Sequence, residues 1–240
     1  MSYDLIVPDI HEKIDIADKI LKQYPDARHN IWLGDYWDSF EFAFSPNHWH
    51  RVALWLNHLS TDPKNILLAG NHDIQYFGHG AEQHMCSGYN NAKHQMIAEQ
   101  MPSNWITQRT KWLHTIRHAD QLTVISHAGL NLSHVSWGAD LSEPYFTRLN
   151  QRTADNFAAG IYDPILQAGQ GRGGRGIGGI TWQDWRTEYR LLPGVRQIVG
   201  HSPDHKPRWN GADLCLDTDL RDVALMDTET GELTIKHIDW

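Results

Sequence analysis

Short apolar runs recur along the chain, and nearly every one stops at a cluster of polar or turn-forming residues. In "YDLIVPDIH" the run Leu5 to Val7 predicts a strand that breaks at Pro8. "EKIDIADKILKQYP" then places Ile14, Ile16, Ala17, Ile20 and Leu21 at helical spacing, and Pro25 helps to stop that helix. "NIWLGDYWD" predicts a second strand, "NILLAGNHD" a third, "LTVISHAGL" a fourth and "VRQIVGHSP" a fifth. Between the third and fourth, residues 79–118 predict a mainly helical insert interrupted at Pro102 and Ser103. Between the fourth and fifth, the glycines of "AGQGRGGRGIGGITW" predict a mobile loop over residues 169–179. "DLCLDTD", "DVALMDT" and "LTIKHID" follow as three short strands, with "DTETGE" turning the terminal hairpin. Strands alternating with helical patterns predict an α/β fold whose sheet is covered on both faces. No internal repeat or linker divides residues 1–240, so the expectation is a single domain.

The polar ends of the five main strands form a series. The first run leads to Asp9 and His11, the second to Gly34, Asp35 and Asp38, the third to Gly70, Asn71, His72 and Asp73. The fourth leads to His127 and Gly129, the fifth to Gly200 and His201. In parallel α/β sheets ligands bind beyond the carboxyl ends of the strands, where residues distant in sequence converge. Each element alone has a plain structural explanation: Asp-x-His is a common surface triplet, Asn and Asp favour turns, and a histidine after an apolar strand can be a satisfied core residue. Five in one order are hard to assign to coincidence. Carboxylates with imidazoles and no thiolate fit Mn, Fe or Zn, and Asn71 adds a neutral oxygen. Two such ions roughly 3.5–4 Å apart suit in-line displacement at phosphorus, because they activate a water and offset phosphoryl charge.

Composition narrows the class. The chain has 240 residues, 40% hydrophobic and 21% charged, which suits one large folded domain. No apolar run is long enough to span a bilayer, and the first residues lack the pattern of a secretory signal. Cys86 and Cys215 make no disulfide framework, which fits a reducing cytoplasm. A net charge of −8, with 21 Lys and Arg against 29 Asp and Glu, and no basic stripe, argues against a nucleic-acid partner. Most of the 16 histidines read first as solvated surface, including the pairs His79 with His84 and His48 with His50. His114 and His118, spaced i and i+4, would share one face of a helix.

With these residues in view, the chain resembles the calcineurin-like metallophosphoesterase superfamily, whose general pattern is D-x-H, G-D-x-x-D, G-N-H-D/E, a histidine before a glycine-containing turn, and a late G-H. The corresponding stretches here are "DIH", "GDYWD", "GNHD", "SHAG" and "VGHSP". "SHAGL", "ITWQDW" and "CLDTD" are similar to motifs of the phosphoprotein phosphatase branch, which includes protein Ser/Thr phosphatases and symmetrical diadenosine tetraphosphatases. These motifs run from Asp9 to Asp219. The resemblance implies a β-sandwich of two mixed sheets flanked by helices. It implies one metal held by Asp9, His11 and bridging Asp35, and a second completed by Asn71, His127 and His201. A hydroxide between the metals would attack phosphorus in line, while His72, oriented by Asp38, would protonate the leaving oxygen. Histidine suits that role because its pKa lies near neutrality.

Three departures qualify the resemblance. The branch often carries Arg-Gly after G-D-x-x-D, but Ser39 and Phe40 stand here. An expected phosphate clamp is therefore absent, which disfavours a phosphoprotein substrate. Arg172, Arg175 or Arg186 could replace it, though each also reads as a solvated arginine. His201 is followed by Ser202 and Pro203 rather than x-His, and Glu12 stands where the branch usually has glycine. The run with Trp37, Phe40, Phe42, Phe44 and Trp49 reads either as an aromatic wall for a substrate or as a cap packed on the sheet. The expectation is a metal-dependent phosphoesterase acting on a phosphomonoester or phosphoanhydride of a small molecule or nucleotide. The alternatives are a protein phosphatase or nuclease of the same superfamily, or a non-catalytic protein that holds metal and binds a phosphorylated ligand.

Overall fold

The computed structural model describes residues 2–39, 41–42, 44–78, 81–136 and 138–239. Phe40 and His79, named above, lie outside the described residues. Strand β1 (Tyr3–Val7) turns Leu5 and Val7 to one side and Ile6 to the other, as the two-residue repeat of a strand requires. Both sides are buried, which is why its sequence is apolar throughout rather than alternating. β2 (Asn30–Trp32) and β3 (Asn65–Leu67) lie parallel to it, while β9 (Asp222–Asp227) and β10 (Leu233–His237) add an antiparallel hairpin on the other edge. The resulting sheet has the order β10-β9-β1-β2-β3.

A second mixed sheet, ordered β4-β5-β6-β8-β7, is built from β4 (Leu113–His118), β5 (Gln121–Ser126), β6 (Val195–Val199), β7 (Arg208–Asn210) and β8 (Asp213–Cys215). Ile6, Ile31 and Met226 of the first sheet share an apolar layer with Ile125, Ile198 and Leu214 of the second. Full burial of each such side chain contributes about 1.5–3 kcal/mol, so this layer drives the docking of the sheets. Helices cover the outer faces. α1 (Ile14–Gln23) buries Ile14, Ala17 and Ile20, with Ile16 and Leu21 packed alongside; α2 (Pro46–Leu59) buries Trp49, Val52 and Leu56; α6 (Glu143–Ala158) buries Phe146, Leu149 and Phe157. The fold is thus α/β, a two-sheet sandwich flanked by helices. Among the described residues, no helix is long and apolar enough to cross a membrane.

The five strands expected to carry the polar ends form as β1, β2, β3, β5 and β6. The helical reading of residues 79–118 ends early. That stretch contains α4 (Asn91–Gln100) and α5 (Trp105–Arg109), but Leu113–His118 is the strand β4, paired antiparallel with β5. Thr115 and Ile116 favour the extended chain, and pairing with β5 overrides the helical periodicity. His114 and His118 still share a face, because i and i+4 also coincide on a strand. The segment 169–179, expected as a mobile loop, is folded on itself: a bridge joins Gly169 to Gly176, and the Glu188 carboxylate accepts from the amides of Gly171 and Gly178.

Candidate functional site

β1, β2 and β3 deliver Asp9, Asp35 and Asn71 from the first sheet, while β5 and β6 deliver His127 and His201 from the second. The chain leaves the strands under tension there: His11, Asp35, Asp38 and His201 all have positive φ, between 44° and 69°. Such conformations are uncommon for residues with side chains and cluster at functional sites. Gly70 and Gly200 allow the close approach. A Cβ on Gly70 would stand 2.1 Å from Asp35 Oδ1, and one on Gly200 would stand 2.0 Å from Asp9 Oδ1.

His127 is the centre of the cluster. Its Nδ1–H donates to the Leu33 carbonyl at 2.8 Å, which turns Nε2 inward. Nε2 then lies 3.0 Å from Asn71 Oδ1, 3.1 Å from His201 Nδ1 and 3.4 Å from Asp35 Oδ2. Burial pulls the His127 pKa down, but the charges of Asp35 and Asp9 outweigh it and push it up to about 9. Acceptors that hold a proton this tightly also make a cradle for a cation. Burial and the charge of His127 keep His201 well below its ordinary value, so its ring is neutral. Burial likewise opposes the charge on Asp35, yet His127, His72 and His11 hold that carboxyl below the usual range. Asp9 behaves oppositely: burial and neighbouring Asp217 raise it well above that range.

Two triplets have donor atoms mutually close enough to hold an ion, Asp9 with His11 and Asp35, and Asp35 with His127 and His201. Asp35 belongs to both. Asp9 Oδ1 and His201 Nε2 are buried without any hydrogen-bond partner among the described residues. Buried polar groups are ordinarily satisfied, so the Asp9 oxygen fits a cation that completes it, and on His201 the nitrogen facing the cluster is Nδ1, 3.1 Å from His127 Nε2. His11 Nδ1 faces the Trp37 carbonyl at 3.3 Å, with Nε2 3.7 Å from Asp35 Oδ2.

His72 and Asp38, paired above on the strength of the resemblance, lie together: His72 Nδ1 is 2.9 Å from Asp38 Oδ2. Burial lowers the His72 pKa, but Asp35 and the bond to Asp38 outweigh it and hold it well above the ordinary value. Asp73, on the same turn, accepts from the amides of Gly70, Asp35 and Tyr36, and so ties the ends of β2 and β3 together. A crevice of about 1060 Å³ opens over this floor.

Arg172 and Arg186 line that crevice, and exposed Arg175 does not, because the Gly169–Gly176 bridge folds the loop back. Arg172 is held by Asp184, at 3.2 Å, and by the His201 carbonyl; Arg186 is held by the Pro203 carbonyl and by Asp204, at 3.3 Å. The sequence reading missed Arg221 and Asp217 on the crevice wall, and also Lys93, Gln75 and Tyr76 behind Asp38. Only Asp217 had a signal, its place in "CLDTD". The aromatic run divides: Trp37 and Trp49 are buried in the core, Phe42 stacks on His48, and Phe44 is exposed. Neither tryptophan lines the crevice, in keeping with a cap. His48 is satisfied by the Glu12 carbonyl, and His50 is exposed.

This architecture recurs in solved structures. The cold-active protein-tyrosine phosphatase of a psychrophilic Shewanella species has a TM-score of 0.62 at 15% identity, covering 100% of this chain and 81% of that one. A protein serine/threonine phosphatase from Saccharomyces cerevisiae has a TM-score of 0.50 at 13% identity, covering 100% and 80%. A Pyrococcus horikoshii protein has a TM-score of 0.51 at 11% identity, covering 100% and 89%. At such identities the likeness shows the fold alone. No curated protein sequence matches the chain. The model of one family, however, matches residues 5–213, a span that contains all five strand ends, and on that ground the chain belongs to the calcineurin-like phosphoesterases.

Proposed function

We propose that the protein is a dinuclear metal-dependent phosphoesterase that hydrolyses a phosphomonoester or phosphoanhydride of a small molecule or nucleotide. The observation that carries this reading is the pair of donor triplets sharing Asp35, beside a buried oxygen, Asp9 Oδ1, that has no hydrogen-bond partner among the described residues. Asp9, His11 and Asp35 would hold one ion; Asp35, Asn71, His127 and His201 would hold the other. Mn, Fe or Zn suits this oxygen and nitrogen set. When bound, the ions would supply an activated water and offset charge on the phosphoryl oxygens.

His72 acts on the leaving side. Asp38 occupies its Nδ1, so Nε2 is the nitrogen left to give a proton to the departing oxygen. A cation neutralising Asp35 weakens that carboxylate's pull on His72, and Asp38 then remains as the partner that favours the imidazolium. Arg172, Arg186 and Arg221 face the crevice, where an anionic substrate would gain from them. The net charge of −8 opposes a polynucleotide.

The test begins with metal-free protein, adds Mn, Fe, Zn or Mg, and measures release from an aryl phosphate, a bis-aryl phosphate and diadenosine tetraphosphate. Metal-restored turnover of at least one substrate is expected. Failure with every pairing overturns the enzymatic reading and leaves the metal-holding, phosphate-binding alternative.

A further inference from the structure

Lys93 stands in a helix whose other residues give it no reason to be buried. In "NAKHQMIAEQ" only Lys93 and Ile97 are buried, and a lone lysine on such a helix ordinarily faces solvent. Here its side chain is 1% exposed. Its ammonium lies 2.8 Å from Asp38 Oδ1 and 2.5 Å from Glu12 Oε1, and it sits 5.4 Å from the ring centroid of Trp49 and 5.9 Å from that of Tyr76. Those rings exclude water and favour a cation.

Glu12 is equally unusual. It is fully buried and has a φ of 64°, a left-handed conformation that residues with side chains rarely adopt. Its Oε1 accepts from the Asp38 amide at 3.0 Å as well as from Lys93, and its own carbonyl accepts from His48. Two buried carboxylates and one ammonium therefore lie directly behind His72, none of them lining the crevice. The two oxygens of Asp38 are divided: Oδ1 receives Lys93 and Tyr76, while Oδ2 receives His72 and Gln75.

We propose that Lys93 is a positioning residue for the His72–Asp38 pair. Its ammonium engages Asp38 Oδ1, which keeps Oδ2 directed at the His72 ring, and Glu12 fixes the ammonium in place. The assignment rests on the reading of His72 as the proton donor. In that step the bond from phosphorus to the leaving oxygen breaks with its electron pair on oxygen. As a water oxygen bonds to phosphorus, the proton of His72 Nε2 moves to the leaving oxygen, and the Nδ1 proton stays on the ring, donated to Asp38. Lys93 touches neither substrate nor metal, and its effect passes through Asp38 alone. A salt bridge serving only stability could be exchanged for apolar packing without changing the chemistry.

The leaving group separates the two roles. Phenyl phosphate needs protonation as it departs and 2,4-dinitrophenyl phosphate does not. In the manganese-loaded full chain, Lys93→Met should lower kcat on phenyl phosphate about 100-fold, the size of a general-acid contribution, and leave dinitrophenyl phosphate nearly unchanged. Glu12→Gln combined with Lys93→Met removes the surplus buried charge. It should therefore fold well and keep the same leaving-group sensitivity, because Asp38 Oδ1 still lacks its donor. Equal slowing of both esters, or of neither, overturns the proposal. Nitrogen-15 spectra of the His72 ring give a readout independent of turnover: Lys93→Met should shift the Nδ1 resonance, and an unchanged resonance overturns the assignment. If the unaltered protein hydrolyses neither ester, the phosphoesterase reading falls, and the imidazole spectrum still decides the role of Lys93.

Discussion

Asp35, Asn71 and His201 form the floor of the crevice, with Asp9 and His127 buried beside them, each no more than 6% exposed and each placed where a strand ends. Arg172, at the end of a short 3-10 helix (Gln170–Arg172), and Arg186 and Arg221, on loops, stand on its wall, and the Arg186 side chain is 52% exposed. Floor residues are tied to one another and to the strand ends around them: the His201 amide donates to Asp9, the His127 ring meets Asn71 and the Leu33 carbonyl, and the His72 amide donates to Asp35. On the wall, Arg186 is held by the Pro203 carbonyl and half-buried Asp204, Arg221 meets the His205 ring, and Arg172 is held by the His201 carbonyl and buried Asp184. On the proposed reading, reactivity and selectivity would be built on different scaffolding. A rigid, interlocked floor suits ions that need fixed donors, and an adjustable wall suits a substrate that must enter and leave.

Four measurements would break or sharpen this contrast. Asp35→Asn should have the largest effect, since both donor triplets use Asp35. Calorimetry should show manganese binding lost, with no measurable turnover; undiminished binding would dissolve the distinction between floor and wall. His72→Asn comes next, with kcat on an alkyl phosphate lowered about 10²–10⁴-fold and manganese affinity held within about threefold. A parallel loss of affinity would make His72 part of the floor. Third is pH. His127 at about 9 carries a proton on Nε2 at neutral pH, and a cation must displace it. Manganese affinity should therefore rise about tenfold per pH unit up to about 9 and then level off, each unit being on the order of 1.4 kcal/mol. Affinity that is flat between pH 6 and pH 9 would remove His127 from the ligand set. The smallest effect belongs to the wall: Arg221→Ala should raise KM about tenfold with kcat unchanged, and Arg175→Ala should leave both within about twofold. A kcat loss at Arg221 would move that residue into the chemistry.

The parts of this molecule legible in its sequence are those decided locally. A strand buried on both faces must be apolar until it ends, so the polar residues after β1, β2, β3, β5 and β6 stand out. β4 was obscured because Leu113–His118 follows two helical segments, and only β5 shows it to be a strand. β7, three residues with two of them exposed, owes its register to β8. Lys93 carries no local signal at all, since its meaning depends on Glu12, 81 residues away. Asp73, an ordinary turn residue in sequence, acquires its task only when the ends of β2 and β3 come together.

The donors are divided between the sheets: Asp9, His11, Asp35 and Asn71 follow strands of one, His127 and His201 follow strands of the other. The cation held by Asp35, Asn71, His127 and His201 would therefore act as a reversible crosslink across the seam of the sandwich, much as a bolt joins two plates. At 100 times its dissociation constant, such an ion stabilises the folded state by about 2.7 kcal/mol. If the chain holds that ion, metal supply would set how firmly the halves are joined, and stripping it with a chelator should quicken amide exchange first along β5 and β6, where the fastening ends.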